Sequence, residues 1–175
     1  GSSRISCTSS IVASKFLEMD SIPTGFVVLS NDKKCFVPLG DPTFLNPDFP
    51  NQPVINQLQQ AFKDTIRVCK NVSLPVFGAG WAWDDFDRNY MPMRSSMPIY
   101  GNVVRIIRTP DSLQVAPRIF KDSILPKRER YRRSREANQF FYHQSLPDTV
   151  DIPFEIGGNL AVSLWEEATG KDLIE

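Results

Sequence analysis

The sequence predicts an α/β domain, one layered unit with a mixed β-sheet flanked by helices, and three observations predict it. A β-branched and aromatic run at residues 24–29, polar turn material at 30–34 and a second apolar run at 35–39 read as a hairpin. Apolar residues between Val54 and Cys69 recur at three- and four-residue spacing, the period of a helix. A further apolar run at 72–77 follows that helix, so strand, helix and strand come in the order that suits a layered sheet. With 175 residues, 41% hydrophobic and 23% charged, the chain has the composition of one globular domain and not of a disordered or fibrous one. At this size folding buries roughly 70% of the unfolded surface, so neither a disulfide nor a structural metal is required to hold it.

Taken in order, residues 10–19 are compatible with a short helix that gathers Ile11, Val12 and Phe16 on one side, or with an edge strand. Gly40-Asp41-Pro42 ends the hairpin, and Pro47, Pro50 and Pro53 punctuate the loop after it. Pro53 suits the first turn of the next helix, where its missing N–H costs nothing. That helix carries Val54, Ile55, Leu58, Ala61, Phe62, Ile66 and Cys69 on one face, with Lys63, Arg67 and Lys70 toward a C-terminal end whose dipole favours cations. Gly78-Ala79-Gly80 breaks the strand at 72–77. Residues 98–107 and 112–120 read as neighbouring strands joined at Thr109-Pro110-Asp111. A last helix at 159–169 buries Leu160, Leu164, Trp165 and Ala168, and Gly170 is placed to cap it.

Twenty Lys plus Arg balance twenty Asp plus Glu, which argues against a dedicated nucleic-acid binder. No apolar run approaches the roughly 18 residues of a membrane span, and no signal peptide opens the sequence. Gly1-Ser2-Ser3 reads as a cloning remnant, leaving residues 4–175 as the domain and any targeting segment upstream of it. Cys7, Cys35 and Cys69 are too widely spaced for a redox pair or a zinc cluster. Buried free thiols are the plain reading, with a Cys7–Cys35 or Cys35–Cys69 bridge left open. The single histidine, His143, lies in an aromatic stretch without a carboxylate at helical spacing, so it reads as a structural or surface residue and not as a catalytic base. Gly78-Ala79-Gly80 is followed by no Gly-Lys-Ser/Thr and is no phosphate loop.

Two charged features stand out. Residues 127–135 hold six basic residues and one acidic, most simply a solvated loop, alternatively a grip for an anionic partner. Asp84, Asp85 and Asp87 cluster beside Trp81 and Trp83. Adjacency in sequence does not set two carboxylates across a glycosidic bond, so these residues do not read as a glycosidase pair.

The block Gly78-Ala79-Gly80-Trp81-Ala82-Trp83-Asp84-Asp85, continuing through Tyr90 to Ser95-Ser96-Met97-Pro98-Ile99-Tyr100-Gly101-Asn102-Val103-Val104, resembles the D-alanyl-D-alanine carboxypeptidase/endopeptidase family, the class C low-molecular-mass penicillin-binding proteins. Gly40-Asp41-Pro42-Thr43-Phe44 is similar to that family's Gly-Asp-Pro-Thr-Leu segment, and the resemblance spans about residues 22–175. Active members need Ser-x-x-Lys at a helix start, then Ser-x-Asn and Lys/His-Thr-Gly in the same cleft. The one Ser-x-x-Lys here, Ser30 to Lys33, falls in a polar turn and is about what chance gives with sixteen serines and eight lysines. Ser-x-Asn and Lys/His-Thr-Gly are absent, and Tyr100-Gly101-Asn102 falls within the expected strand at 98–107.

The resemblance therefore implies no catalytic residue in this chain. It implies the accessory domain that such enzymes carry inserted within their serine-enzyme domain, in a periplasmic hydrolase of peptidoglycan stem peptides. Implied partners are the stem peptide and the catalytic domain of the same chain, with no cofactor, no metal, no nucleic acid and no membrane span. By position, Asp85 and the aromatic Tyr90 would bind substrate. The carboxylate would pair with the ammonium of a diamino acid and the ring would pack on its methylene stem. Trp81, Trp83 and Asp84 would support the loop. A helix or turn cap is the structural alternative for Asp85. The rival from another class is a stand-alone module that binds an anionic partner through residues 127–135.

Overall fold

The computed structural model describes residues 25–29, 34–38, 40–41, 43–69, 75–95 and 98–174. The expected element at 10–19, Cys7, the Ser30/Lys33 pair and Gly1-Ser2-Ser3 lie outside the described residues. In chain order the elements are β1 (Phe26–Leu29), β2 (Cys35–Pro38), α1 (Pro53–Ala61), β3 (Thr65–Arg67), β4 (Val103–Arg108), β5 (Leu113–Ala116), β6 (Ile124–Leu125), β7 (Phe140–Phe141), β8 (Thr149–Pro153), α2 (Gly158–Thr169) and β9 (Asp172–Ile174). Helices and strands are mixed along one chain, as the α/β prediction requires, with the strands spread over several small sheets.

β1 and β2 form the predicted antiparallel hairpin, Phe26 opposite Pro38 and Leu29 opposite Cys35. Strand alternation sends Phe36 fully inward while Val27 and Leu29 stay exposed. β3 pairs in parallel with β9. A parallel bridge between Phe36 and Val68, and the Cys69 N–H donated to the Phe36 carbonyl at 2.8 Å, set the hairpin against β3. The antiparallel β1–β2 pair and the parallel β3–β9 pair are separate two-stranded sheets set side by side by that bridge. At the β2–β3 junction Cys35 and Cys69 form a disulfide, which corrects the free-thiol reading and selects one of the two bridges left open. Their Cα atoms lie 5.3 Å apart because the neighbouring strands bring them there.

The long helix expected from Val54 to Cys69 is shorter. Pro53 does occupy its first turn, and Val54 and Leu58 are buried, but α1 ends at Ala61 and Phe62 is extended (φ −123°, ψ 123°). Lys63 and Asp64 are exposed at the bend, and β-branched Thr65 and Ile66 start β3 with Ile66 fully buried. A four-residue spacing of apolar side chains fits an interrupted helix-to-strand segment as well as a continuous helix, so Lys63 and Arg67 never reach a helix C-terminus. Of the expected strand at 72–77, Pro75 to Phe77 are described and are not strand.

β4 is the centre of an antiparallel sheet ordered β5-β4-β8. It begins at Val103, five residues later than expected at Pro98, because Tyr100–Asn102 forms a 3-10 turn with φ of +55°, +65° and +57°. Buried Asn102 replaces ladder bonds there: its Oδ1 accepts the Ile99 N–H at 3.1 Å, and its Nδ2 donates to the Met93 carbonyl at 2.7 Å and Ser95 Oγ at 3.0 Å. β5 stops at Ala116 because Pro117 has no N–H to give, and a 3-10 segment takes over at Arg118–Ser123. β6 and β7 make a short parallel pair. α2 matches its prediction, with Leu164 and Trp165 buried and Gly170 capping in the left-handed region (φ 65°), its N–H on the Glu166 carbonyl. The core joins these layers through Trp165, 5.3 Å from Phe36 and 4.6 Å from Phe44 between ring centres, and through Phe120 against Phe140 and Phe154.

Arg105 on β4 ties the antiparallel sheet to the loop before α1. Its Nε and Nη2 each lie 2.8 Å from the Asp151 carboxylate on β8, and its other edge reaches Asp48. Loss of the Asp151 half in Arg105→Met is expected to cost about 1–2 kcal/mol in urea denaturation at pH 7. Hydrogen bonding to Arg105 holds the Asp48 carboxyl below its usual value of 3.8. The Asp48 contribution is therefore present above pH 3.8 and fades as pH falls below it, so the gap between wild type and variant should narrow on acidification.

Candidate functional site

The loop over residues 75–95 contains one 3-10 turn, Trp83–Asp85, and otherwise no regular structure. Three of its side chains hold it down, one of them Met91 at 4% exposure. Phe86 and Asp87 are buried at 6% and 1% exposure, and the Asp87 Oδ2 accepts the Arg132 N–H at 2.7 Å. Around that anchor the loop turns large apolar groups outward: Trp83 is 72% exposed and Tyr90 57%. Asp84 is exposed, and Trp81 is half-buried with its ring 6.1 Å from that of Phe77. Gly78 permits the Trp81 position, since a Cβ there would come within 2.9 Å of the indole.

Asp85 and Tyr90 are brought together by the turn. The Asp85 carboxylate lies near enough to the Tyr90 hydroxyl to raise the phenol pKa above 10, chiefly as a hydrogen-bond acceptor, with lesser help from desolvation and the negative charge itself. One phenol proton leaves most of the carboxylate lone pairs free, so a half-buried anion beside an exposed ring remains open to a cationic ligand. The Gly40-Asp41 segment has a structural role. Asp41 is 4% exposed and its Oδ1 accepts both the backbone N–H of Thr43, at 2.9 Å, and its hydroxyl, at 2.8 Å, which directs Phe44 onto Trp165.

The basic run does not form one solvated face. Lys127 pairs with Glu129, and Arg130 lies over the Tyr131 ring. Arg133 is 2% exposed, contrary to the loop expectation, because residues 132–134 are drawn onto β7: the Phe141 N–H reaches the Arg132 carbonyl and the Ser134 N–H the Gln139 carbonyl. The Arg133 guanidinium sits 5.0 Å from the Phe86 ring centre, donates to the Phe86 carbonyl at 3.4 Å and meets Glu155 at 3.1 Å. Burial lowers its pKa, with Glu155 and then Asp87 opposing. Arg135 stacks at the surface, 4.3 Å from the Trp83 ring centre and 4.6 Å from that of Phe86.

Between the loop and these arginines lies a cavity of about 280 Å³. Sequence reasoning missed Arg133 and Glu155 as parts of a site. Nothing in a run of like charges marks the one member that turns inward, and Glu155 is fixed by a reciprocal pair of bonds with the Asn138 amide, 17 residues away. His143 accepts the Ser145 N–H at Nδ1, 3.1 Å away, in a local turn. Among the described residues no three His, Cys, Asp or Glu side chains gather as metal ligands, and no helix is long and apolar enough to cross a membrane. No family model matches the chain, and no curated protein or solved structure matches it.

Proposed function

We propose that this chain is a non-catalytic accessory domain of a periplasmic serine-type D-alanyl-D-alanine carboxypeptidase/endopeptidase, and that it helps recognise the peptidoglycan stem peptide. The observation that carries the reading is the meeting of Asp85 and Tyr90 on a loop whose exposed aromatics the core does not need. A fixed carboxylate beside a ring suits a diamino acid, whose ammonium takes the charge while its methylenes lie on the phenol. The tryptophan–aspartate block and the lack of the family's serine and lysine motifs point the same way. The Cys35–Cys69 disulfide supports an oxidising compartment such as the periplasm.

Calorimetric titration of the chain with a stem tripeptide ending in a diamino acid tests the reading, with the side-chain N-acetyl peptide as comparison. The free amine is expected to bind at least about tenfold tighter, a difference that Asp85→Asn removes. Equal binding of the two peptides would sink the reading, as would a covalent adduct with a labelled penicillin in the intact mass.

A further inference from the structure

The cavity beside the loop has a composition that the stem-peptide reading does not use. Trp81, Trp83 and Phe86 supply aromatic wall, and Arg133, Arg135 and Glu155 supply charge, two cations against one anion. Arg135 has no carboxylate partner among the described residues; it is held by ring stacking and a long contact to the Tyr131 hydroxyl at 3.5 Å. Arg133 is the more telling group. Its Nε and Nη2 are engaged by the Phe86 carbonyl and Glu155, while its Nη1 is buried without a hydrogen-bond partner. A buried guanidinium N–H left unpaired is costly, and native proteins rarely keep one without a use. Its neighbour Asp87 likewise keeps Oδ1 buried and without a hydrogen bond, 3.6 Å from Arg88 Nε. The Trp83 indole is 72% exposed and stacks with Arg135 at the mouth of the cavity.

We propose that this cavity is a binding site for a small monocarboxylate with a flat apolar body. Its carboxylate would be taken by the exposed Arg135 guanidinium, with the buried Arg133 cation behind the wall adding positive field, and its ring would lie against Trp83 and Phe86. A monoanion is favoured over a phosphate because Glu155 shares the wall and repels a second negative charge. The volume of about 280 Å³ has room for one or two fused rings. The site is separate from the Asp85–Tyr90 pair, which selects for the opposite charge.

Quenching of tryptophan fluorescence, confirmed by calorimetry, tests this on the intact chain. Trp81 and Trp83 line the cavity, whereas Trp165 is buried in the core and supplies a constant background. The probes are 2-naphthoate, the neutral 2-naphthamide and 2-naphthyl phosphate. Saturable binding of 2-naphthoate is expected, with the amide at least tenfold weaker and the phosphate no tighter than the carboxylate. Arg135→Gln and Trp83→Ala alter exposed side chains, so their folding can be verified by circular dichroism, and each should weaken 2-naphthoate at least fivefold. Equal binding of acid and amide, or variants that bind as wild type does, would overturn the proposal and leave Arg133 a structural cation between Glu155 and Asp87. Tighter binding of the naphthyl phosphate would overturn the carboxylate assignment.

Discussion

Phe36→Ala is expected to lower the stability by about 3–5 kcal/mol, the range for removing a fully buried ring from a core that cannot collapse around the gap. Phe36 has no exposed surface and stands among three other rings, Phe26 at 5.9 Å, Phe62 at 6.1 Å and Trp165 at 5.3 Å between centres. Those neighbours come from β1, the end of α1 and α2, so no one element can shift to fill the space. For a domain of this size the loss corresponds to a melting temperature lower by about 6–20 °C. Val27→Ala in the same hairpin is the control, since Val27 is 44% exposed and should change stability by no more than about 0.5 kcal/mol. Thermal and urea unfolding followed by circular dichroism checks both. A Phe36→Ala protein within 1 kcal/mol of wild type would mean that the hairpin does not pack as described.

Opening the Cys35–Cys69 bridge is the second large effect. It closes a loop with a sequence separation of 34, for which the chain-entropy relation gives about 4 kcal/mol. A Cys35→Ser, Cys69→Ser double variant, or wild type unfolded under a strong thiol reductant, should show its unfolding midpoint fall accordingly. No difference between reduced and oxidised protein would contradict the bridge. The two predictions are not independent, since Phe36 adjoins Cys35 and its carbonyl accepts the Cys69 N–H at 2.8 Å. Combining Phe36→Ala with loss of the bridge should therefore depart from the sum of the two effects. Each alone consumes a large part of the about 5–15 kcal/mol that holds a typical domain.

What the sequence made legible was local. α2 carries its whole specification in a short window, with the apolar spacing of Leu160, Leu164 and Trp165 and the glycine that caps it, and the hairpin likewise shows its two runs and turn. The end of α1 was not legible, because Phe62 and Ile66 keep helical spacing across a change of structure that pairing of β3 with β9 enforces. β8 was hidden for the same reason: Val150 and Ile152 face the core only because β4 lies beside them. Cysteine pairing followed from strand adjacency, which spacing does not encode. In the site, Asp85 and Tyr90 entered through a resemblance of motifs, whereas Arg133 could be found only from the fold that turns it inward.

The parallel pairing of β3 with β9 joins Thr65 to Asp172, more than a hundred residues apart. On a ribosome adding about 5–20 residues per second, β3 therefore waits on the order of 5–20 s for its partner strand. During that interval one edge of β3 is an open template for another nascent chain. Lys63 and Asp64, both exposed immediately before it, put charges of either sign at the point where such an intruder would have to align.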